Sequence, residues 1–199
     1  METIPRDNEV LLCGAAAGEA RYSHSARAED YYTLPLAVRR LSGNTDTVNL
    51  TLRSSMLGAL GGPRLTARGE LRSFNSRSGA WPRLVISVFV RELSEAEEED
   101  DNLVRLRGAL CKPPLLRRTP MGRDICDLML AVNRPYGRSD YLPCICWGRL
   151  AREAARWELG TRIALEGRIQ SRRYRKLTEN ALEERTAFEV SVSQALRLD

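Results

Sequence analysis

The sequence predicts an all-β fold of two tandem five-stranded Greek-key barrels, each with one short helix. Three observations carry this. The apolar segments are short and alternate with polar residues, as half-buried strands do. They recur in the same order in the two halves of the 199-residue chain. A run of acids, Ser94 to Asp101 (SEAEEEDD), separates the two copies.

The repeat can be followed strand by strand. Glu9–Gly14 matches Leu103–Gly108 at an offset of 94, as do Leu34–Val38 with Leu128–Val132 and Val48–Leu52 with Leu142–Cys146. Leu65–Ser73 then lies over Ile163–Ser171 at an offset of 98, and Arg83–Val88 over Arg185–Val190 at 102. An offset that grows while the order holds marks residues inserted in connections, where insertions are tolerated. Between the third and fourth strands of the second copy, Leu150, Ala154 and Trp157 fall at helical spacing and Gly160 supplies a C-terminal stop. This predicts a helix over 147–159 with Trp157 in the core. The matching stretch, Arg53–Leu60, is shorter and runs into Gly61, Gly62 and Pro63, so one or two turns are expected. Five strands with a helix closing one end is the layout of an OB-type barrel. A block of like charge repels itself and reads as a solvated linker. The expected domains are therefore 1–94 and 102–199, joined by 95–101.

Composition narrows the function. About 43% of the residues are hydrophobic, enough for packed cores, and no run of 18 uncharged apolar residues exists. The N-terminus METIPRDNEV lacks a basic-then-apolar export pattern, so a cytoplasmic protein is expected, with no membrane partner. Five cysteines in such a chain do not suggest a disulfide framework. Cys144 and Cys146 share one strand face as small core residues would, and their spacing is a poor match to metal ligands. Neither metal nor cofactor is expected. Enzyme motifs are missing: the lone histidine, His24, lies in a polar stretch that reads as loop, and the glycine clusters lack the residues of a phosphate loop or dinucleotide turn.

The charge is uneven. Residues 1–94 carry a net +3, 95–101 carry −6 and 102–199 carry +8. Lys112 and Lys176 are the only lysines among the 31 basic residues. The positive charge is thus nearly all guanidinium, which forks onto phosphates and stacks on planar rings. In Tyr141–Trp147, alternation places Leu142, Cys144 and Cys146 inward and Tyr141, Ile145 and Trp147 outward. From Arg162 to Tyr174 it buries Ile163, Leu165, Gly167 and Ile169 and turns Arg162, Arg168, Arg172 and Tyr174 out. One wall is apolar and its reverse is basic and aromatic. Flat rings on a basic groove bind single strands with little sequence preference, because every base has a π-face.

The second copy resembles the bacterial single-stranded DNA-binding proteins. Their helix and fourth-strand region reads aromatic-Gly-Arg/Lys-Leu-Ala, then Gly-x-x-(Val/Ile)-x-(Val/Leu)-Glu-Gly-x-(Leu/Ile)-x-(Thr/Ser)-Arg-x-aromatic, then a final strand containing Arg. Here these are Trp147 to Ala151, Gly160 to Tyr174 and Arg185 to Val190. A fainter copy runs from Ala67 to Ser73. The resemblance implies base stacking on Tyr141, Trp147 and Tyr174, with Tyr136 in the Arg134–Ser139 loop as a further ring. Arg149, Arg168, Arg172 and Arg173 join them as the basic residues of the same surface. It also implies binding of single-stranded DNA in replication, recombination or repair, and a homodimer with four barrels in all. The first copy departs from the pattern. Opposite Tyr141, Trp147 and Tyr174 stand Thr47, Arg53 and Ser76. Its own outward row is Arg64, Arg68, Arg72 and Phe74, followed by Trp81 and Arg83, of which Arg72 and Phe74 are its candidate contacts. The chain ends at Asp199 without the acidic, hydrophobic tip by which the family recruits replication and recombination proteins, so that route to partners is not expected. The alternatives are an OB-type protein interaction module in such an assembly, or binding of single-stranded RNA.

Overall fold

The structure is a computed structural model and describes residues 7–76, 83–96, 99–177 and 182–198. The first barrel consists of β1 (Asn8–Ala16), β2 (Arg21–Ala26), β3 (Glu29–Arg39), β4 (Thr45–Arg53), β5 (Arg64–Ser76) and β6 (Arg83–Glu95). The second consists of β7 (Asp101–Leu110), β8 (Leu115–Arg118), β9 (Asp124–Arg134), β10 (Arg138–Trp147), β11 (Arg162–Leu177) and β12 (Leu182–Leu198). A 3₁₀ segment, Ser54–Ala59, follows β4, and helix α1 (Gly148–Ala154) follows β10. The strands form one sheet in the order β2-β3-β4-β6-β5-β1-β7-β11-β12-β10-β9-β8. Pairings β1–β3 and β7–β9 close each half on itself, giving two five-stranded barrels. The sixth strand of each half, β2 or β8, is an added arm paired only along β3 or β9.

The order reads the same from either end, and the register says why. In the β1–β7 seam Val10 pairs with Val104, its own counterpart at offset 94, so a pseudo-twofold axis passes through that pair. The duplicated details follow. A bulge interrupts β5–β6 at Arg68/Gly69 and β11–β12 at Glu166/Gly167. A Cβ on Gly14 would lie 2.3 Å from the Ala37 carbonyl oxygen, and one on Gly108 2.3 Å from that of Ala131, so both sites need glycine for close backbone approach. The Asn8 side chain bonds both backbone groups of Leu71 at 2.8 Å, as Asn102 bonds Ile169 at 2.8 and 2.9 Å.

The inward residues of the alternation, among them Leu34, Leu50, Leu71, Leu130, Leu142 and Ile163, are fully buried. Each such side chain contributes about 1.5–3 kcal/mol by leaving water. Cys144 and Cys146 lie in the same core. Trp157 is buried as expected, but it sits past the end of the helix, which spans seven residues rather than 147–159. Trp147 is still strand, and beyond Ala154 the chain turns toward Gly160, whose φ of +85° ends the segment. Two other expectations are corrected. His24 is on strand β2, because the polar run 21–26 pairs with β3 as the exposed arm of a hairpin. Ile145 is on the outer face but buried, covered by the residues of the groove described below. The acidic connection is also shorter than its charge suggests. Asp100 accepts the Arg39 backbone N–H at 2.5 Å and an Arg64 N–H at 2.7 Å.

Among the described residues no helix is long and apolar enough to cross a membrane.

Candidate nucleic-acid interface

The outer faces of β9, β10, β11 and β12 enclose an open groove of about 590 Å³. Trp147 ends β10 and is 37% exposed, so its ring borders the groove rather than filling the core. Its indole N–H donates to Ser191 Oγ at 3.2 Å, which fixes the ring's edge and leaves the π-face as the available surface. Ile125 and Ile145 floor the groove beside it. Among the described residues, five arginines line it, Arg40, Arg117, Arg123, Arg168 and Arg172, against one carboxylate, Glu189. Arg117 is oriented by Asp127 through bonds of 2.5 and 3.0 Å, and Glu189 accepts from Gln170 at 2.8 Å. An apolar floor, one oriented ring and guanidiniums along the rim can hold a flat, anionic polymer.

Arg40 is a residue of the first barrel. It reaches this groove from the β3–β4 hairpin, where its Nε and Nη2 donate to the buried Asp46 at 2.5 Å each. The same Asp46 accepts the Ser171 backbone N–H and hydroxyl of β11 at 2.7 Å each, and Arg40 Nη2 donates to the Ser171 carbonyl at 3.1 Å. Burial pushes the Asp46 carboxyl up, but the bonds from Arg40 and Ser171 outweigh it and hold the group below the usual aspartate range. The arrangement is reciprocated. Asp140, on the β9–β10 hairpin of the second barrel, pairs with Arg134 and accepts the Ser73 backbone N–H of β5 at 2.6 Å, while Arg134 Nη2 donates to the Ser73 carbonyl at 3.2 Å. Each barrel thus grips the fourth barrel strand of the other with the tip of its own hairpin.

This geometry divides the residues expected from sequence. Trp147, Arg168 and Arg172 meet in one groove. Tyr141 is exposed but stands six residues away along β10, roughly 20 Å at strand rise, where its N–H donates to Ser73 Oγ of the first barrel. Tyr136, 93% exposed at the hairpin tip, lies at that same end. Arg72 and Phe74 are on β5 beside Ser73. Phe74 is exposed, but Arg72 is half-buried and ion-paired with Glu70 and Asp140. Arg149 is exposed on α1, and Arg173 is exposed on β11. Tyr174 pairs with Arg185 in the β11–β12 ladder, and the side chains of both, like that of Arg83, lie outside the described residues, as does Trp81 altogether. Reading the sequence missed Arg40, Arg117, Arg123 and the Asp46 and Asp140 clamps. A signal for the clamps existed: Arg and Asp six residues apart at 40/46 recur at 134/140, on the repeat offset of 94.

Residues 101–198 match the model of the Single-strand binding protein family. The match spans the second barrel, from β7 to β12. The curated relatives of that family include the Single-stranded DNA-binding protein of Halalkalibacterium halodurans, 36% identical over 80 residues that make up 37% of this chain and 48% of the relative. Single-stranded DNA-binding protein A of Bacillus subtilis is 36% identical over 80 residues, 37% of this chain and 46% of its own length. The chain spans about half the length of these relatives. The fold of both barrels together is that of the wild-type single-stranded DNA binding protein from Thermus aquaticus, with a TM-score of 0.75 and 23% identity over 96% of this chain and 93% of the other. A deletion mutant of the same protein gives a TM-score of 0.72 and 22% identity, over 96% and 94%. At this identity the likeness is one of architecture.

Proposed function

We propose that the chain binds single-stranded DNA with little sequence preference, by stacking bases on Trp147 and pairing phosphates with Arg168, Arg172 and the other groove arginines. The carrying observation is the oriented, partly exposed Trp147 ring in a groove whose rim, among the described residues, is five arginines and one acid. A stacked base is worth roughly 1–3 kcal/mol and every base offers a face, so affinity need not depend on sequence. Each neutralised phosphate adds a salt-dependent increment with a slope of about −0.7 on single strands. Tyr136 and Tyr141 extend the path toward the first barrel. The protein acts as a binder rather than a catalyst, in the cytoplasm, in replication, recombination or repair. The barrels 1–94 and 102–199 work as units joined by 95–101, and two chains assemble into a homodimer with four barrels.

The test is titration with oligothymidine. Tryptophan fluorescence is expected to quench, the quench to weaken as salt rises, and Trp147→Ala to lose most of the signal. A wild-type protein that shows no response at low salt would overturn the reading and favour a protein-docking role for the same rings. Competition with oligouridine separates DNA from RNA, and sedimentation gives the number of barrels per particle.

A further inference from the structure

The first barrel has no ring where the second has Trp147, yet its outer face carries rings of its own. Through the pseudo-twofold axis the strand register assigns each groove residue a counterpart. Trp147 pairs with Ile125 in β9–β10 as Arg53 pairs with Tyr31 in β3–β4. Ile145 pairs with Ser191 as Thr51 pairs with Phe89. Arg117 pairs with Ile125 as His24 pairs with Tyr31, the β2 bulge after Tyr22 absorbing the one-residue shift. So where the second barrel has an indole beside a serine, the first has a guanidinium beside a phenyl ring.

These rings form a ladder. His24 stacks on Tyr31 with centroids 5.0 Å apart and planes 14° apart, and Tyr31 meets Phe89 at 6.0 Å. The guanidinium carbons of Arg53 and Arg72 lie 5.6 and 5.8 Å from the Phe89 centroid. None of this is core. The inward residues of the same strands are Leu34, Leu50, Leu52 and Val88, whereas His24 is exposed and Tyr31, Phe89 and Arg53 are half-buried on the outer face. Rings and guanidinium planes on the solvent side of a sheet are surfaces on which bases stack.

We propose that His24, Tyr31 and Phe89, flanked by Arg53 and Arg72, form a second nucleobase-stacking site on the first barrel. The proposal rests on the function above and assigns a ligand, the bases of the same single strand, to a surface that the motif positions leave empty. Its electrostatics differ from the Trp147 groove. Arg72 is committed to Glu70 and Asp140, and Glu70 also binds Arg91. Glu29 and Asp30 hold Ser54 and Ser25 near the rim. This site therefore holds bases and contributes little to phosphate neutralisation, while the second barrel does both.

The experiment uses the full chain and a labelled oligothymidine followed by anisotropy, which reads binding without tryptophan. Tyr31→Leu with His24→Ala is expected to weaken binding roughly tenfold, the equivalent of about one stacked base, to leave the salt slope unchanged and to shorten the strand length occluded per chain. Tyr31→Phe, which keeps the ring, is expected to bind as wild type. If Tyr31→Leu fails to fold, Phe89→Trp in a Trp147→Phe background carries the test: read against the Trp147→Phe protein, which keeps Trp81 and Trp157, the new indole is expected to add quenching on binding. Wild-type affinity and footprint in the ladder variant, or an unquenched indole in the Phe89→Trp variant while anisotropy reports a complex, would overturn this site and leave the proposed function standing. A wild-type chain that binds no oligothymidine at low salt overturns both.

Discussion

Substituting Asp46 by Asn should separate the two barrels energetically before it disturbs either core. Asp46 has no exposed surface and accepts four hydrogen bonds, two from Arg40 and two from Ser171. Asn keeps the shape and one acceptor but removes the charge, leaving the Arg40 guanidinium, only 18% exposed, without its counter-ion. Removing one partner of a buried ion pair costs roughly 3–5 kcal/mol, because the other charge stays desolvated. The Ser171 N–H keeps an acceptor only if the amide oxygen turns to it; otherwise about 1–3 kcal/mol more is lost. The assay is urea denaturation followed by fluorescence, with a double-mutant cycle against Arg40→Met. Removing both charges should cost less than Asp46→Asn alone, giving a coupling energy of about 2–3 kcal/mol. DNA affinity should fall as well, since Ser171 sits next to Arg172 in the groove. A loss below about 1 kcal/mol for the single variant, or strict additivity in the cycle, would refute the clamp as a source of stability.

Three further outcomes are expected. The Asp46 carboxyl is held below its ordinary value, so its contribution to stability is complete above the unfolded pKa of about 3.9 and is lost as pH falls through the depressed folded value; Asp46→Asn should abolish that part of the acid transition in a pH series of melts. Gly14→Ala and Gly108→Ala each drive a methyl into a backbone carbonyl 2.3 Å away, and each should destabilise by about 1–3 kcal/mol or more, measured by the denaturation midpoint. Burial pushes the thiols of Cys126 and Cys146 up to about 11 and about 12, so a thiol reagent at pH 8 should react with the half-buried Cys111 ahead of the four buried cysteines and reach all five only on unfolding.

What could be read from the chain, and what could not, follows from how far each interaction reaches. Strands with an apolar face report themselves locally through alternation, and the drifting offset of 94, 98 and 102 locates the inserted residues: four between the third and fourth barrel strands, four between the fourth and fifth. The bulges fall within the matched segments, at Gly69 and Gly167. The site was legible where it depended on one strand's own pattern, as at Trp147, Arg168 and Arg172. It was not legible where it depended on which hairpin tip meets which strand. Nothing local to Tyr141 says that its N–H meets Ser73, 68 residues away, so alternation placed it on the outer face it shares with Trp147 without showing that it lies against the first barrel. His24 was misplaced for a related reason: a polar strand with no buried side chain has no apolar period to announce it, and only its pairing with β3 makes it a strand.

The two halves differ in a physically ordered way. What they share sits at backbone contacts that allow little substitution: the glycines under carbonyls, the asparagines bonding both backbone groups of a strand, and the Arg–Asp pairs that grip the other barrel. What they do not share lies on the outer faces, where a side chain meets solvent and its neighbours across the sheet. There Trp147 beside Ser191 and Arg53 beside Phe89 fill the same two places with ring and polar group exchanged. A sheet face tolerates that exchange because cross-strand neighbours contact each other from either strand, so a platform of one ring and one polar partner survives whichever strand supplies the ring. Matching aromatics by motif position therefore undercounts the stacking surface of the first barrel, and matching them through strand register recovers it.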